Sequence, residues 1–440
     1  MAARDSNERL KIAVIGAGVS GLSAAWLLSA AHDVTLFDQA DYAGGHSNTV
    51  EVPGPDGSIA VDTGFIVFNE PAYPNLSAMF AHLDVATNPT EMSFSVSMSR
   101  SGLEYAGNDI FSLFAQKKNL FSRRFWSMLI DIRRFYASAP KHLDQMAEMT
   151  LGNYLDAHAY GAPFREDHLY PMAAAIWSIP ARQVEQYPAA AFTRFCENHG
   201  LLKIAGRPLW RTVRGGSREY VRKLTATVNG GLRLKAPVRR VTRDPDGVQV
   251  SWPDGEARFD HVVIATHADQ ALGMLADPSE TERNLLGNFR YARNETILHR
   301  DERLMPKLRS VWSSWNYLAS DVNAPLSVTY WMNRLQAIPM TTPLFVTLNA
   351  AMPPREERIY RRFSYEHPIF DPATIGAQRD LWSLQGIRRT WYCGAYFGAG
   401  FHEDGLQAGL AVAEQLGGIR RPWRVANESG RIHVGPTQRV

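Results

Sequence analysis

The sequence predicts an α/β fold in which a Rossmann-like domain is interrupted by an inserted α+β domain, and three observations carry that prediction. Residues 11–38, "KIAVIGAGVSGLSAAWLLSAAHDVTLFD", read as strand, glycine turn, helix and strand in succession. A second glycine-rich turn, "GAYFGAGFHEDGL" from Gly394 to Leu406, runs into another helix near the C-terminus. The chain has 440 residues, more than one core accommodates, since single cores stop growing at roughly 250–300 residues. Two domains are therefore expected.

The opening unit is the most explicit. Lys11 to Ile15 is a β-branched run, and Gly16, Gly18 and Gly21 follow it at once. In a dinucleotide site the first glycine makes the turn, the second lets backbone approach a pyrophosphate, and the third lets helix pack on strand. Ser20 lies in the same turn and is assigned with them. Asp33 to Phe37 gives the second strand, and Asp38 at its end is placed to accept hydrogen bonds from ribose hydroxyls. The motif alone does not separate NAD from FAD.

The next residues do. "QADYAGGHSNT" supplies Gly44 and Gly45, and "IAVDTGFIVF" supplies Asp62, Thr63 and Gly64. This arrangement resembles the flavin-containing amine oxidase superfamily, in which a Gly-Gly pair bears on the pyrophosphate and an Asp-x-Gly follows. The superfamily usually has Arg after the pair. Here His46 stands there, able to donate one hydrogen bond but without full charge. The resemblance implies FAD, held non-covalently, because no cysteine falls where some amine oxidases attach flavin.

The late glycine turn fails as a second nucleotide loop: Glu403 occupies the position of the third glycine, and no terminal acid follows Gly418. The resemblance implies instead that "RTWYCG" returns as a strand and that the final helix aims its N-terminus at the flavin ring. Gly394, Ala395, Glu403, Gly405 and Leu406 are assigned to the cofactor on that basis. Ala395 stands where amine oxidases place an acid, and His402 where they place a cage aromatic; the spacing of the glycines in "GAYFGAG" resembles that of protoporphyrinogen oxidases and carotenoid-type desaturases. In the middle segment, "LRLKAPVRRVTRDPDGVQVSW" and "HVVIATHADQAL", the resemblance places Val238 at the adenine and Thr266 beside the cofactor. The expected FAD-binding domain comprises 1–70, 205–270 and 385–418, the substrate domain 71–204 and 280–384, and a C-terminal tail 419–440.

The first insert reads as helix-rich and the second as alternating strands such as "LSVTYWMN" and "LFVTLNA". Both are rich in aromatics, most expected in the core and the rest along an apolar channel. In "FSLFAQKKNLFSRRFWSMLIDIRRFY", the residues Phe125, Met128, Leu129, Ile132, Phe135 and Tyr136 form an amphipathic stripe amid Lys117, Lys118, Arg123, Arg124, Arg133 and Arg134. Two readings stay open: a helix lying in a lipid interface, or a solvated charged face over a buried stripe.

Several classes are set aside. The net charge of +3 does not suggest nucleic acid, the 13 histidines show no metal-ligand spacing, and no GxSxG elbow occurs. With only Cys196 and Cys393, a disulfide framework is excluded and a reducing cytoplasm is expected. No apolar run spans a membrane, so any contact with the inner membrane surface would be peripheral.

Finally, "GGHSNTV", "VDTGFIVFN", "TYWMNRLQ", "YEHPIFD" and "GFHEDGL" together resemble the bacterial flavoproteins associated with cyclopropane-type and furan fatty-acid modification, which include fatty-acyl desaturases. That resemblance implies oxidation of an unsaturated acyl chain, carried on a phospholipid, to a diunsaturated product, with oxygen or another acceptor taking the electrons. An allylic C–H is activated enough for flavin, and His402 is the candidate for the base or for orienting a water that acts as one. The alternatives are a fatty-acid double-bond isomerase, an amine oxidase, and a non-catalytic flavin-binding partner of a lipid methyltransferase.

Overall fold

The computed structural model describes residues 9–146, 148–177, 181–325 and 327–436. The first eight residues of the expected FAD-binding domain and the last four of the tail lie outside them. Five parallel strands form one sheet in the order Leu232–Arg233, Asp33–Phe37, Lys11–Ile15, His261–Ile264, Thr390–Tyr392. Parallel strands are covered on both faces and so read as continuous apolar runs. Ile12, Val14, Val34, Leu36, Val262, Val263 and Ile264 are accordingly all fully buried.

Two helices stack over this sheet. The opening helix, Val19–Leu28, and the closing helix, His402–Gly417, are buried on nearly every side; the first shows no polar face, and the polar stripe of the second, Glu403, Gln407 and Glu414, is taken up by internal hydrogen bonds. Their backbones meet closely. A Cβ on Gly409 would lie 2.2 Å from the Ser20 carbonyl oxygen, and one on Gly405 2.7 Å from Ser20 Oγ. Between the third and fourth sheet crossings the chain makes an antiparallel excursion, Arg240–Asp244, Gly247–Trp252 and Gly255–Phe259, before returning beside the first strand.

A second, seven-stranded sheet draws on both inserts, in the order Ile359–Ile369, Arg290–His299, Phe345–Leu348, Val328–Trp331, Trp315–Ala319, Phe94–Met98, Leu103–Ala106. The seam between the inserts is the parallel pairing of Trp315–Ala319 with Phe94–Met98, reinforced where Ser95 Oγ donates to Asn316 Oδ1 at 2.8 Å. The first insert is thus not helical throughout: after the helix Pro74–His82 it supplies two strands of this sheet. The alternation of "FSVSM" carries the period-two signal of a strand, and the long helices begin only at Arg123.

The helix Arg123–Ser138 is capped by Ser122, whose hydroxyl accepts from the Phe125 N–H at 3.2 Å. Its Phe125, Met128 and Phe135 are buried in the core of the second domain, while Leu129, Ile132 and Tyr136 pack partly against it. The amphipathic stripe seen in the sequence is therefore core. The tail is docked as well: Arg421 is fully buried between Glu414 and Asn75, and Trp423 stacks on Trp26 with centroids 5.7 Å apart.

Candidate active site

A cavity of about 920 Å³ runs between the two domains. At one end lie Gly16, Gly18, Ser20 and Asp38. Gly16 turns the chain out of its strand with φ +103°, a conformation that favours glycine. Gly18 is the N-cap of the opening helix, and a Cβ there would meet no atom within 4 Å, so the position opens on the cavity it lines. Asp38 holds the loop in shape: one carboxylate oxygen accepts from the Ala17 N–H at 2.7 Å and the other from the Ala40 N–H at 2.8 Å. Each oxygen keeps a free lone pair for a ligand hydroxyl. Val238 and Arg239 border the same end.

Backbone hydrogen bonds tie the remaining loops to this one. The Gly44 N–H donates to Ala17 at 2.8 Å, and the Phe65 N–H to His46 at 2.7 Å. Gly45, His46, Thr63 and Gly64 then line the cavity. Gly44 itself does not; it makes the turn. Asp62 also departs from its assignment. Its carboxylate accepts from Thr49 Oγ1 at 2.6 Å, Ser217 N at 2.9 Å and Gln336 Nε2 at 3.0 Å, so it pins the strand Gly57–Asp62 to neighbouring elements rather than facing a ligand. Burial raises its pKa to about 6.

Across the cavity lie Thr266, Gly394, Ala395 and His402. Three residues assigned to the cofactor with them do not line it. The Glu403 carboxylate receives the N–H groups of Asn75 and Leu76, both at 3.0 Å, and so caps the helix Pro74–His82. Leu406 is core, and Gly405, like Gly21, is a contact glycine: a Cβ on Gly21 would sit against the Gly16 carbonyl oxygen. In the sequence these residues were indistinguishable from ligands because they adjoin them.

His402 sits in a three-membered polar cluster. Its Nε2 lies 2.7 Å from Tyr220 OH and 2.9 Å from Ser47 Oγ, the two hydroxyls also touch each other, and its ring stacks on Phe65 with centroids 3.8 Å apart. Burial pushes the His402 pKa down to about 3 and the Tyr220 phenol upward. The phenol therefore stays protonated and is the natural donor to Nε2. That leaves the ring proton on Nδ1, which has no hydrogen-bond partner among the described residues. A base works best with a pKa near the operating pH. In that tautomer His402 offers a neutral N–H donor, and its lowered pKa makes it a weaker base than the one expected from the sequence.

Residues the sequence reading missed complete the wall. Tyr365 stacks on His46, centroids 4.9 Å apart, and binds Thr63 Oγ1 at 2.8 Å. His367 lies 5.2 Å from His46, and His267 Nδ1 lies 3.4 Å from Glu366 Oε2. Tyr220, on the buried stripe of the helix Arg218–Thr225, reads as core and gave no functional signal. The other end of the cavity is apolar, lined by Ile176, Trp177, Phe195, Trp315, Tyr330 and Phe370.

The family described as flavin containing amine oxidoreductase matches residues 19–303, well over half the chain. The chain belongs to that family. FAD is its cofactor. A Mycobacterium tuberculosis protein that bears the name flavin-containing monoamine oxidase AofH is 25% identical over 274 residues, 61% of this chain and 59% of that protein. The match therefore spans less than two thirds of that relative. Among solved structures, the CLA-producing fatty acid isomerase from P. acnes aligns with a TM-score of 0.65 and 16% identity, over 94% of this chain and 99% of the other. Cyclohexylamine oxidase from Brevibacterium oxydans aligns at 0.63 and 17%, over 93% and 100%. Identities this low establish the amine oxidoreductase fold alone.

The residues present fit the family cofactor. The cavity volume is near the top of the roughly 300–1,000 Å³ range of ligand pockets. Gly18 leaves a cradle that a side chain would fill, and His46 Nε2 is a buried nitrogen without a partner, placed to meet a ligand's polar atoms.

Burial also sets the pH response. His168, His299 and His367 are pushed down to about 4, and His199 and His402 to about 3, each chiefly by desolvation. They stay neutral in the fold while the unfolded chain binds protons below about 6.5, so their contribution is intact above that pH and is lost on acidification. Asp62 and Asp404, raised to about 6 by burial, act oppositely between about 6 and 4 but are fewer. Thermal melts from pH 7 to 5 should show a falling Tm, and His168→Gln should flatten that slope by up to one proton. A Tm that rises on acidification would contradict this balance.

Proposed function

We propose that this flavoprotein oxidises an unsaturated fatty-acyl chain, esterified in a phospholipid, removing two hydrogens to give a second double bond. The observation that supports the reading is the apolar end of the cavity. Ile176, Trp177, Phe195, Trp315, Tyr330 and Phe370 there supply no carboxylate to pair with an ammonium group; the cavity's carboxylates, Asp38 and Glu366, stand with the nucleotide loop and beside His267. Nor is there a Lys or Arg for the carboxylate of a free fatty acid, since Arg239 borders the Val238 end. An ester-linked chain with its head group outside needs neither.

FAD, when bound, supplies the acceptor for two electrons and one hydrogen taken from an allylic carbon. The chain's own residues do the rest. Gly16, Gly18 and Ser20 would hold the pyrophosphate on the first turn of the opening helix, Asp38 the ribose, and Val238 the adenine. Neither cysteine lines the cavity, consistent with non-covalent binding. Trp177, Phe195 and Phe370 exclude water and align the acyl chain. The second hydrogen leaves as a proton. His267, whose Nδ1 lies 3.4 Å from Glu366 Oε2, is the candidate acceptor, because both side chains are partly exposed and can pass the proton on.

The test is anaerobic bleaching of the flavin absorbance. Phospholipid with a monounsaturated chain should reduce the bound flavin and yield a diene, and admitted oxygen or another acceptor should reoxidise it. Reduction by cyclohexylamine or putrescine but not by lipid would make the protein an amine oxidase. Double-bond migration without net oxidation would make it an isomerase, and flavin that stays oxidised with every lipid would leave the reading as a non-catalytic partner of a lipid-modifying enzyme.

A further inference from the structure

The outward side of the helix Arg123–Ser138 and the two short turns before it carry apolar side chains that the fold leaves uncovered. Phe111 is 83% exposed, Phe121 89%, Ile130 64% and Trp126 45%. They form one surface. Phe114, one turn beyond Phe111, packs its ring on Trp126 with centroids 5.6 Å apart, and Trp126 Nε1 donates to the Leu120 carbonyl, next to Phe121, at 2.9 Å. Ile130 lies one helical turn beyond Trp126 on the same side. This is a different set from the stripe legible in the sequence, which is core.

The cations of the segment divide into two groups. Arg124 is occupied by Glu166 and Asp167, Arg134 by Asp131 and the ring of Tyr160, and Lys118 donates to the Gly102 carbonyl at 3.2 Å. Lys117, Arg123 and Arg133 are exposed and form no ion pair among the described residues. Asp131, the acid within 117–134, is buried. Free cations interleaved with exposed aromatic tips are the composition of interfacial helices.

We propose that this surface docks peripherally on an anionic lipid bilayer, the aromatic and aliphatic tips entering the interface and Lys117, Arg123 and Arg133 meeting the head groups. Charge selects this occupant over a second copy of the chain. A two-fold contact would set the same cations against each other, whereas an anionic leaflet complements them. No helix among the described residues is long and apolar enough to cross a membrane, so contact through this surface is on one leaflet. The proposal does not rest on the acyl-chain reading, since docking is measured without turnover. If both hold, the surface brings the enzyme to esterified chains.

The test is co-sedimentation of the full-length flavoprotein with phosphatidylcholine vesicles, with and without phosphatidylglycerol. Anionic vesicles should bind it preferentially, and salt should weaken the binding without abolishing it. Each cation near an anionic surface is worth about fivefold in partition, so Lys117→Gln, Arg123→Gln and Arg133→Gln together should weaken binding by at least about tenfold. Phe111→Ser with Phe121→Ser should do the same through lost apolar burial, roughly tenfold or more. Both variants should keep one flavin per chain, which separates lost docking from misfolding. Equal partition into neutral and anionic vesicles would overturn the proposal, as would variants that bind like the wild type. A wild-type dimer that the Phe→Ser pair dissolves would also overturn it, assigning the surface to a second copy.

Discussion

Purified Gly18→Val protein should be folded and colourless. Gly18 has φ −73° and ψ 179°, an extended conformation open to any residue, and an added Cβ would meet no atom within 4 Å. The substitution therefore costs the protein without cofactor little. The valine side chain instead occupies the cradle at the first turn of the opening helix. Overpacking of this kind costs about 1–3 kcal/mol, roughly 5- to 150-fold in affinity, before any loss of backbone contact to the pyrophosphate. The measurement is flavin per chain after gel filtration, with circular dichroism to confirm the fold. Gly409→Val makes the informative contrast: its Cβ would strike the Ser20 carbonyl, so it should unfold the domain rather than only empty it. Normal flavin content in Gly18→Val would place the pyrophosphate elsewhere.

The second large effect concerns His402, which offers a neutral N–H to the cavity. His402→Phe preserves stacking on Phe65 but removes the donor, and loss of a preorganised donor near developing negative charge typically costs about 10²- to 10³-fold in rate. Anaerobic flavin reduction should slow by that amount while flavin content holds. His402→Gln, which retains an N–H, should recover most of the rate, and a residue acting as base would not be rescued that way. Because burial holds His402 at about 3, its contribution should also be independent of pH between about 5 and 8. A Gln variant as slow as the Phe variant, with a wild-type rate that titrates near neutrality, would restore His402 as the base.

Legibility from sequence followed the range of the interactions. The opening strand–turn–helix–strand unit is contiguous, and its glycines, Asp38 and parallel strands were readable because local geometry dictates them. Gly45, Thr63, Gly64, Thr266, Gly394 and Ala395 reached the cavity wall through motif order. What failed was side-chain direction. Asp62, Glu403 and Leu406 stand beside cavity residues yet point to Ser217, to Asn75 and into the core, and nothing local distinguishes the two orientations. Tyr220 and Ser47 were missed for the opposite reason: they meet His402 only across separations of 182 and 355 residues.

The order of strands in the two sheets also governs how the chain is made. Thr390–Tyr392 is an edge strand of the first sheet, and the helix that covers it comes later still. Ile359–Ile369 likewise ends the second sheet, beside strands begun at Arg290. A nascent chain therefore leaves the ribosome with its nucleotide loop formed early but with the cavity's opposite wall unsynthesised. Such non-local pairing folds slowly and exposes unpaired strand edges meanwhile. The cavity's two walls are consequently both present only once the closing helix, His402–Gly417, has been made.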